Sequence, residues 1–199
     1  MKNENSRIAA VVLAAGLSKR MGAFKPLLPI DGKPMILHVV ERVSIVPHVV
    51  VVTGYESQRV ENALLGQFVT FAFNFEYATG EMISSVQTGL RALSIETDAV
   101  LLLLADQPGV QEATLSSLIS SWKSSRAPLV QPQYKGRRGH PLLISMSLRE
   151  EILAVPKGGT LNDVVRRHKA ERRCVEVLDP GVIEDLDTPE DLARWRQSP

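Results

Sequence analysis

Four apolar runs most constrain what this chain can fold into: "IAAVVL" (Ile8–Leu13), "VVVVT" (Val49–Thr53), "VTFAF" (Val69–Phe73) and "AVLLLLA" (Ala99–Ala105). They are rich in β-branched residues and lack polar alternation, so each predicts a strand covered on both faces, as in a parallel sheet. The segments between them carry helical periodicity. Pro34 suits the first turn of a helix whose Ile36, Val39, Val40 and Val43 form one apolar stripe. Glu56–Leu65 and Ser84–Leu93 read the same way, each ending near glycine or a polar break. Strand and helix in repeated succession predict a three-layer, doubly wound α/β fold with a mostly parallel sheet. Beyond Pro108 the pattern loosens. Val110–Trp122, Ser147–Val155, Thr160–His168 and Pro189–Arg196 read as helices, Leu129–Gln131 and Arg173–Leu178 as short strands, and "QYKGRRGHP" (Gln133–Pro141) as a basic, glycine-rich loop.

Neither a repeat nor a Pro/Ser-rich linker interrupts the 199 residues, which suit a single domain over residues 1–199. Balanced charge, 23 basic against 22 acidic residues, gives no general attraction for nucleic acid or an anionic membrane. Any anion must therefore be met by a local cluster. Cys174 is the only cysteine, which excludes an intrachain disulfide and a multi-cysteine metal site. The run from Ile8 to Leu17 is too short to span a bilayer and lacks a basic leader, so a cytoplasmic location is expected.

In open α/β sheets ligands bind beyond the carboxyl ends of the strands. Three stretches are expected there: the loop after Leu13, "ADQPG" after Leu104 and "DLDTP" after Ile183. In the first, "AAGLSKRMG", small residues at Ala14, Ala15 and Gly16 let main-chain N–H groups approach an anion, while Arg20 and Lys25 add positive charge. The spacing is neither a Walker A loop nor a G-x-G-x-x-G fingerprint, and by itself the stretch reads equally well as a surface turn with incidental cations.

Taken whole, "LAAGLSKRMGAFKPLL" closely resembles the L-A-A-G-x-S-x-R-M-G-x-x-K-x-L-L signature of the MobA-like nucleotidyltransferases, and most of all their molybdenum cofactor cytidylyltransferase branch. "SSVQTGL" (Ser84–Leu90), "LLLADQPG" (Leu102–Gly109), "GRRGHPLLI" (Gly136–Ile144) and "DLDTPEDL" (Asp185–Leu192) follow in family order, so the resemblance runs from Ile8 to about Trp195. It implies a Rossmann-like nucleotidyltransferase fold. It also implies transfer of CMP from CTP to molybdopterin or the molybdenum cofactor, with Mg²⁺ and release of pyrophosphate. A molybdoenzyme or its chaperone would be the downstream partner.

Residue by residue, the resemblance implies that Leu13, Ala14, Ala15 and Gly16 contact the nucleotide through the backbone. Arg20 and Lys25 would hold phosphates, and Lys25 would neutralise charge developing at the α-phosphate. The aspartate of "DQP", Asp106, would bind Mg²⁺ with a second carboxylate from Asp185 or Asp187. These two alternate and would share one face of a strand. Asp185 is preferred, by likeness to the first acid of D-x-G-T-P in sugar nucleotidyltransferases. As isolated features, Asp106 reads as a turn or cap residue and Asp187-Thr188 as the start of the last helix. Ser85 would line the base pocket, or cap a helix. Glu81 stands where the family usually has Gly-Met before the serine pair. Lys135, Arg137, Arg138 and His140 would hold the acceptor, and His140 is not expected to act as a base because a phosphate monoester is already ionised near neutral pH. Two further readings remain open. One is nucleotidyl transfer to another phosphorylated alcohol, or from GTP; the other is a nucleotide- or cofactor-binding partner protein without turnover.

Overall fold

The computed structural model describes residues 7–18, 21–79 and 81–195. The first apolar run forms β1 (Ile8–Leu13), the centre of the molecule. Short pieces follow: a 3₁₀ turn at Lys25–Leu27, then a tight hairpin of β2 (Pro29–Ile30) and β3 (Lys33–Pro34). Next come α1 (Met35–Val43), β4 (His48–Thr53), α2 (Ser57–Ala63), β5 (Thr70–Phe73), α3 (Met82–Ala92) and β6 (Ala99–Leu104). The second half contains α4 (Glu112–Ser125), β7 (Leu129–Tyr134), β8 (Arg137–Arg138) and β9 (Leu142–Ser145). After these come a 3₁₀ turn at Met146–Leu148, α5 (Arg149–Leu153), α6 (Leu161–Arg167), β10 (Arg173–Glu176), a 3₁₀ turn at Pro180–Ile183 and α7 (Pro189–Trp195).

The main sheet runs β10-β7-β9-β6-β1-β4-β5, with β8 paired to β7. β1 pairs in parallel with both β4 and β6, and β4 with β5, whereas β9 is antiparallel to both of its neighbours. Strand geometry turns successive side chains to opposite faces. Ala10, Val12, Val49, Val51, Leu101 and Leu103 therefore pack on one face, against the α1 stripe, Val60 of α2, and Leu115, Leu118 and Trp122 of α4. Ala9, Val11, Val50, Val52, Val100 and Leu102 pack on the other, against α3, α5 and α6. At roughly 1.5–3 kcal/mol per large side chain fully buried, these two layers dominate the favourable side of folding. Helices cover both faces, so the expected three-layer, mostly parallel α/β arrangement is the observed one.

Several local expectations are corrected. Pro34 ends β3 and stands before α1 instead of inside its first turn. α3 begins at Met82, so Ser84 and Ser85 lie within its first turn and neither caps it. Ser147–Val155 divides into a 3₁₀ turn and a short helix. The basic loop is a hairpin: Lys135 (φ 47°) and Gly136 (φ 78°) form a two-residue turn of positive φ, and Tyr134 pairs with Arg137 across it. β9 was not expected as a strand.

Candidate active site

The site lies where β1 and β6 end side by side. Past Leu13 the chain stays stitched to its neighbours: the Ala14 N–H donates to the Val52 carbonyl at 2.9 Å, and the Tyr55 N–H to the Ala15 carbonyl at 3.3 Å. The Ala14 N–H is thus occupied, while those of Ala15 and Gly16 have no carbonyl partner among the described residues and are the ones free to meet an anion. Among the described residues that follow, Met21 is buried and Gly22 and Ala23 are exposed before the chain reaches Lys25. There the Lys25 N–H donates to Ser18 Oγ at 3.0 Å, and the Phe24 ring packs edge-on against Tyr55, centroids 5.4 Å apart. Arg20 lies outside the described residues.

Lys25 Nζ reaches across the loop to Asp106 Oδ2 at 2.7 Å and Asp187 Oδ1 at 2.5 Å. Burial works against its charge. Hydrogen bonds and Coulomb attraction from the two carboxylates outweigh that and hold its pKa above the usual lysine value. Asp106 stands two residues past the end of β6, at its carboxyl end as "ADQPG" after Leu104 predicts.

Asp185 and Asp187 arrive by a different route. They follow the Pro180–Ile183 turn, not a strand, so the expected strand face is absent. Alternation survives because Leu186 is clamped between them: its N–H donates to the Asp106 carbonyl at 3.0 Å, and its side chain is buried with Ile30, Met35 and Leu192. Both flanking acids border the cleft. Gln107 Nε2 donates to Asp185 Oδ1 at 2.6 Å. Asp185 keeps an exposed edge, yet desolvation of its carboxylate, reinforced by Asp106 and Asp187, pushes its pKa above the ordinary carboxylate range. Helix capping does not compete for Asp187. Thr188 performs that task by exchanging hydrogen bonds with Asp191 at the start of α7.

These groups border one cleft of about 590 Å³, a size that suits a nucleotide. Leu13, the Ala14–Gly16 turn, Lys25, the three aspartates, Tyr77, Glu81, Met82 and Ser85 all line it. Ser85 is buried, and its Oγ accepts a hydrogen bond from Asn74 Nδ2 at 3.0 Å. The four residues expected at the acceptor divide into two groups, and none of them borders this cleft. Lys135, Arg137 and Arg138 are exposed on the β7–β8 hairpin. His140 lies near Asp185 and Asp106; burial lowers its pKa while those two carboxylates pull it upward, and the net result is a ring neutral at pH 7.

Two supports were not legible as site residues. Gly139 lets the Pro180–Ile183 turn lie flat against the sheet, since a Cβ there would stand 1.8 Å from the Val182 carbonyl oxygen. Asp179 is 3% exposed, and its carboxylate accepts from the Gln111 N–H (2.8 Å), Thr114 Oγ1 (2.7 Å) and the Gly181 N–H (3.0 Å). Together they hold in place the segment that delivers Asp185 and Asp187. The motif "GHP" and an aspartate six residues before Asp185 were the only sequence signals.

Among the described residues no three His, Cys, Asp or Glu side chains could hold a metal ion by themselves. The hard oxygen donors facing the cleft suit a Mg²⁺ ion that completes its shell with substrate phosphate and water. The donor set therefore fits such an ion only together with substrate.

Residues 10–172 match the MobA-like NTP transferase domain. The chain is 26% identical over 189 residues to the molybdenum cofactor cytidylyltransferase of Escherichia coli (strain K12), covering 94% of each chain. It is 29% identical over 197 residues to the nicotine blue oxidoreductase of Paenarthrobacter nicotinovorans, covering 94% of this chain and 95% of that one. The solved structure of a nucleotidyl transferase from Methanothermobacter superposes with a TM-score of 0.82 at 26% identity, over 97% of each chain.

Proposed function

The chain belongs to the MobA-like NTP transferase family and is a nucleotidyltransferase, and from that premise we propose that it transfers CMP from CTP to the phosphate of molybdopterin or its metal-loaded form, with Mg²⁺, releasing pyrophosphate. The observation that carries this reading is the Lys25 ammonium held at 2.7 and 2.5 Å by Asp106 and Asp187 in the cleft that the Ala15–Gly16 turn also lines.

Nucleotidyl transfer joins an acceptor phosphate oxygen to the α-phosphorus and breaks the bond to the β-phosphate. The demand on the protein is to bring two anions together and neutralise charge at the α-phosphate. The Ala15 and Gly16 N–H groups and Arg20 hold the triphosphate, and Lys25 meets the charge that develops at the α-phosphate. Asp106, with Asp185 or Asp187, holds Mg²⁺, which supplies Lewis-acid neutralisation of the phosphates when bound. Ser85 meets the base. The exposed cations of the β7–β8 hairpin, Lys135, Arg137 and Arg138, gather the acceptor phosphate, and neutral His140 lines its approach without accepting a proton. The cytidylyltransferase of 94% mutual coverage supports CTP and the pterin acceptor over the alternatives.

Pyrophosphate release is measured with molybdopterin, Mg²⁺ and either CTP or GTP. Release with CTP at about ten times the GTP rate or more, falling about 10²–10³-fold in Lys25→Ala, is expected. Release with GTP alone overturns the base assignment. Binding of CTP without release to any phosphorylated acceptor overturns the transfer itself and leaves a nucleotide-binding protein.

A further inference from the structure

Asn74 follows β5 at the edge of the sheet and is 2% exposed. Its main-chain N–H donates to the Thr53 carbonyl at 2.8 Å. Its Oδ1 accepts the Glu76 N–H at 2.9 Å, which fixes the amide's orientation and turns Nδ2 toward α3. There Nδ2 donates to Ser84 Oγ at 2.9 Å and Ser85 Oγ at 3.0 Å, so both amide hydrogens are in use. The two serines differ in what they do with their own protons. Ser84 Oγ donates to the Glu81 carbonyl at 2.9 Å. Ser85 Oγ has no acceptor among the described residues, and it borders the cleft.

A serine hydroxyl on its own can meet either a donor or an acceptor. We propose that Asn74 removes this ambiguity: by donating to Ser85 Oγ it keeps the serine proton from turning inward and directs it into the cleft, where it recognises a hydrogen-bond acceptor on the nucleobase, a carbonyl oxygen or ring nitrogen. A buried hydroxyl proton left without an acceptor is costly, so the cleft is selective for ligands that supply one. Asn74 is a positioning residue acting through Ser85. Ser84, equally bonded to Asn74, takes no part in recognition because its proton closes on its own helix. The inference rests on the reading of this cleft as the nucleotide site.

The test is calorimetric titration of CTP with Mg²⁺ into the full-length chain and its variants. Ser85→Ala loses about ten-fold in affinity, the worth of one hydrogen bond, while Ser84→Ala stays within about two-fold although it too leaves one Asn74 amide hydrogen without its serine acceptor. Asn74→Asp is isosteric, still accepts the Glu76 N–H, and draws the Ser85 proton inward; it too loses about ten-fold. Asn74→Asp/Ser85→Ala binds no more weakly than either single variant, because both act on one contact. Multiplicative losses, or equal losses in Ser84→Ala and Ser85→Ala, overturn the proposal. If Asn74→Asp does not fold, the serine pair decides alone. A wild-type chain that binds neither CTP nor GTP refutes the nucleotide reading and this inference with it. One that binds CTP while the Asn74 and Ser85 variants bind equally well refutes this inference only.

Discussion

Replacing Lys25 with methionine keeps the aliphatic stem and deletes the charge between Asp106 and Asp187. Removing one partner of a fully buried ion pair costs about 3–5 kcal/mol, chiefly because the remaining charge is uncompensated. Here the Asp106 and Asp187 side chains retain 25% and 29% of their exposure, so water relieves part of that penalty. About 2 kcal/mol is expected, which for a chain of 199 residues lowers Tm by about 4–8 °C near pH 7.5. The pH dependence has a definite sign. The folded pKa of Lys25 lies above its ordinary value, so its contribution is fully present below that ordinary value, 10.5, and does not itself change between pH 4 and 8. In the variant the Asp185 carboxyl, already held above the ordinary range by desolvation and by Asp106 and Asp187, takes up a proton as the pH falls and relieves part of the repulsion at the site. The Tm deficit therefore shrinks as pH falls from about 7.5 toward 4 and returns as it rises. Scanning calorimetry at the two pH values reads both effects. A variant that melts with wild type near pH 7.5, or a deficit equal at both pH values, refutes the electrostatic account.

The supports of the site make separate predictions. Gly139→Ala places a methyl carbon against the Val182 carbonyl, a backbone atom that no rotamer change can move aside. It should cost about 1–3 kcal/mol in chemical denaturation and reduce pyrophosphate release at saturating substrate, because the displaced segment carries Asp185 and Asp187; unchanged turnover would separate that segment from the chemistry. Asp179→Ala strands two N–H donors and the Thr114 hydroxyl in a buried space, and should cost about 2–4 kcal/mol by denaturant titration, with Asp179→Asn losing less. A loss below about 1 kcal/mol for the alanine variant would show that water replaces the carboxylate.

Local signals located the strands of the parallel core. β1 spans the residues that its apolar run marks, and β4 and β6 differ from their runs by one residue at an end, because a strand covered on both faces must be apolar throughout; β5 also falls within one residue of its run, but as the edge strand it is largely exposed, not covered on both faces as its apolar run implied. The stripe of α1 was equally legible, since Ile36, Val39, Val40 and Val43 follow the helical period. β9 was not: "LLIS" is a short buried run without a direction, and its insertion between β6 and β7 depends on pairing with residues far along the chain. Asp-Gly at 31–32 and Lys-Gly at 135–136 carried hairpin signals that the two-residue turns satisfy, and reading them would have found β2, β3 and β8.

The sequence alone determined the strands of the parallel core, the α1 stripe and the chemistry brought to the sheet's carboxyl edge: the small-residue turn, Lys25, Asp106 and an acidic pair spaced two apart. Hydrophobic period and turn chemistry are properties of neighbouring residues, so they can be read along a line. Which acid meets which base was decided only by the tertiary structure. Lys25 is bonded to a carboxylate 162 residues away, and Asn74 to a serine pair across the cleft wall. The pairing of Lys25 with Asp187 exists because Leu186 is buried, Gly139 admits a close backbone approach and Asp179 ties down the turn before them. Each of these causes acts through space, between residues that no local pattern relates.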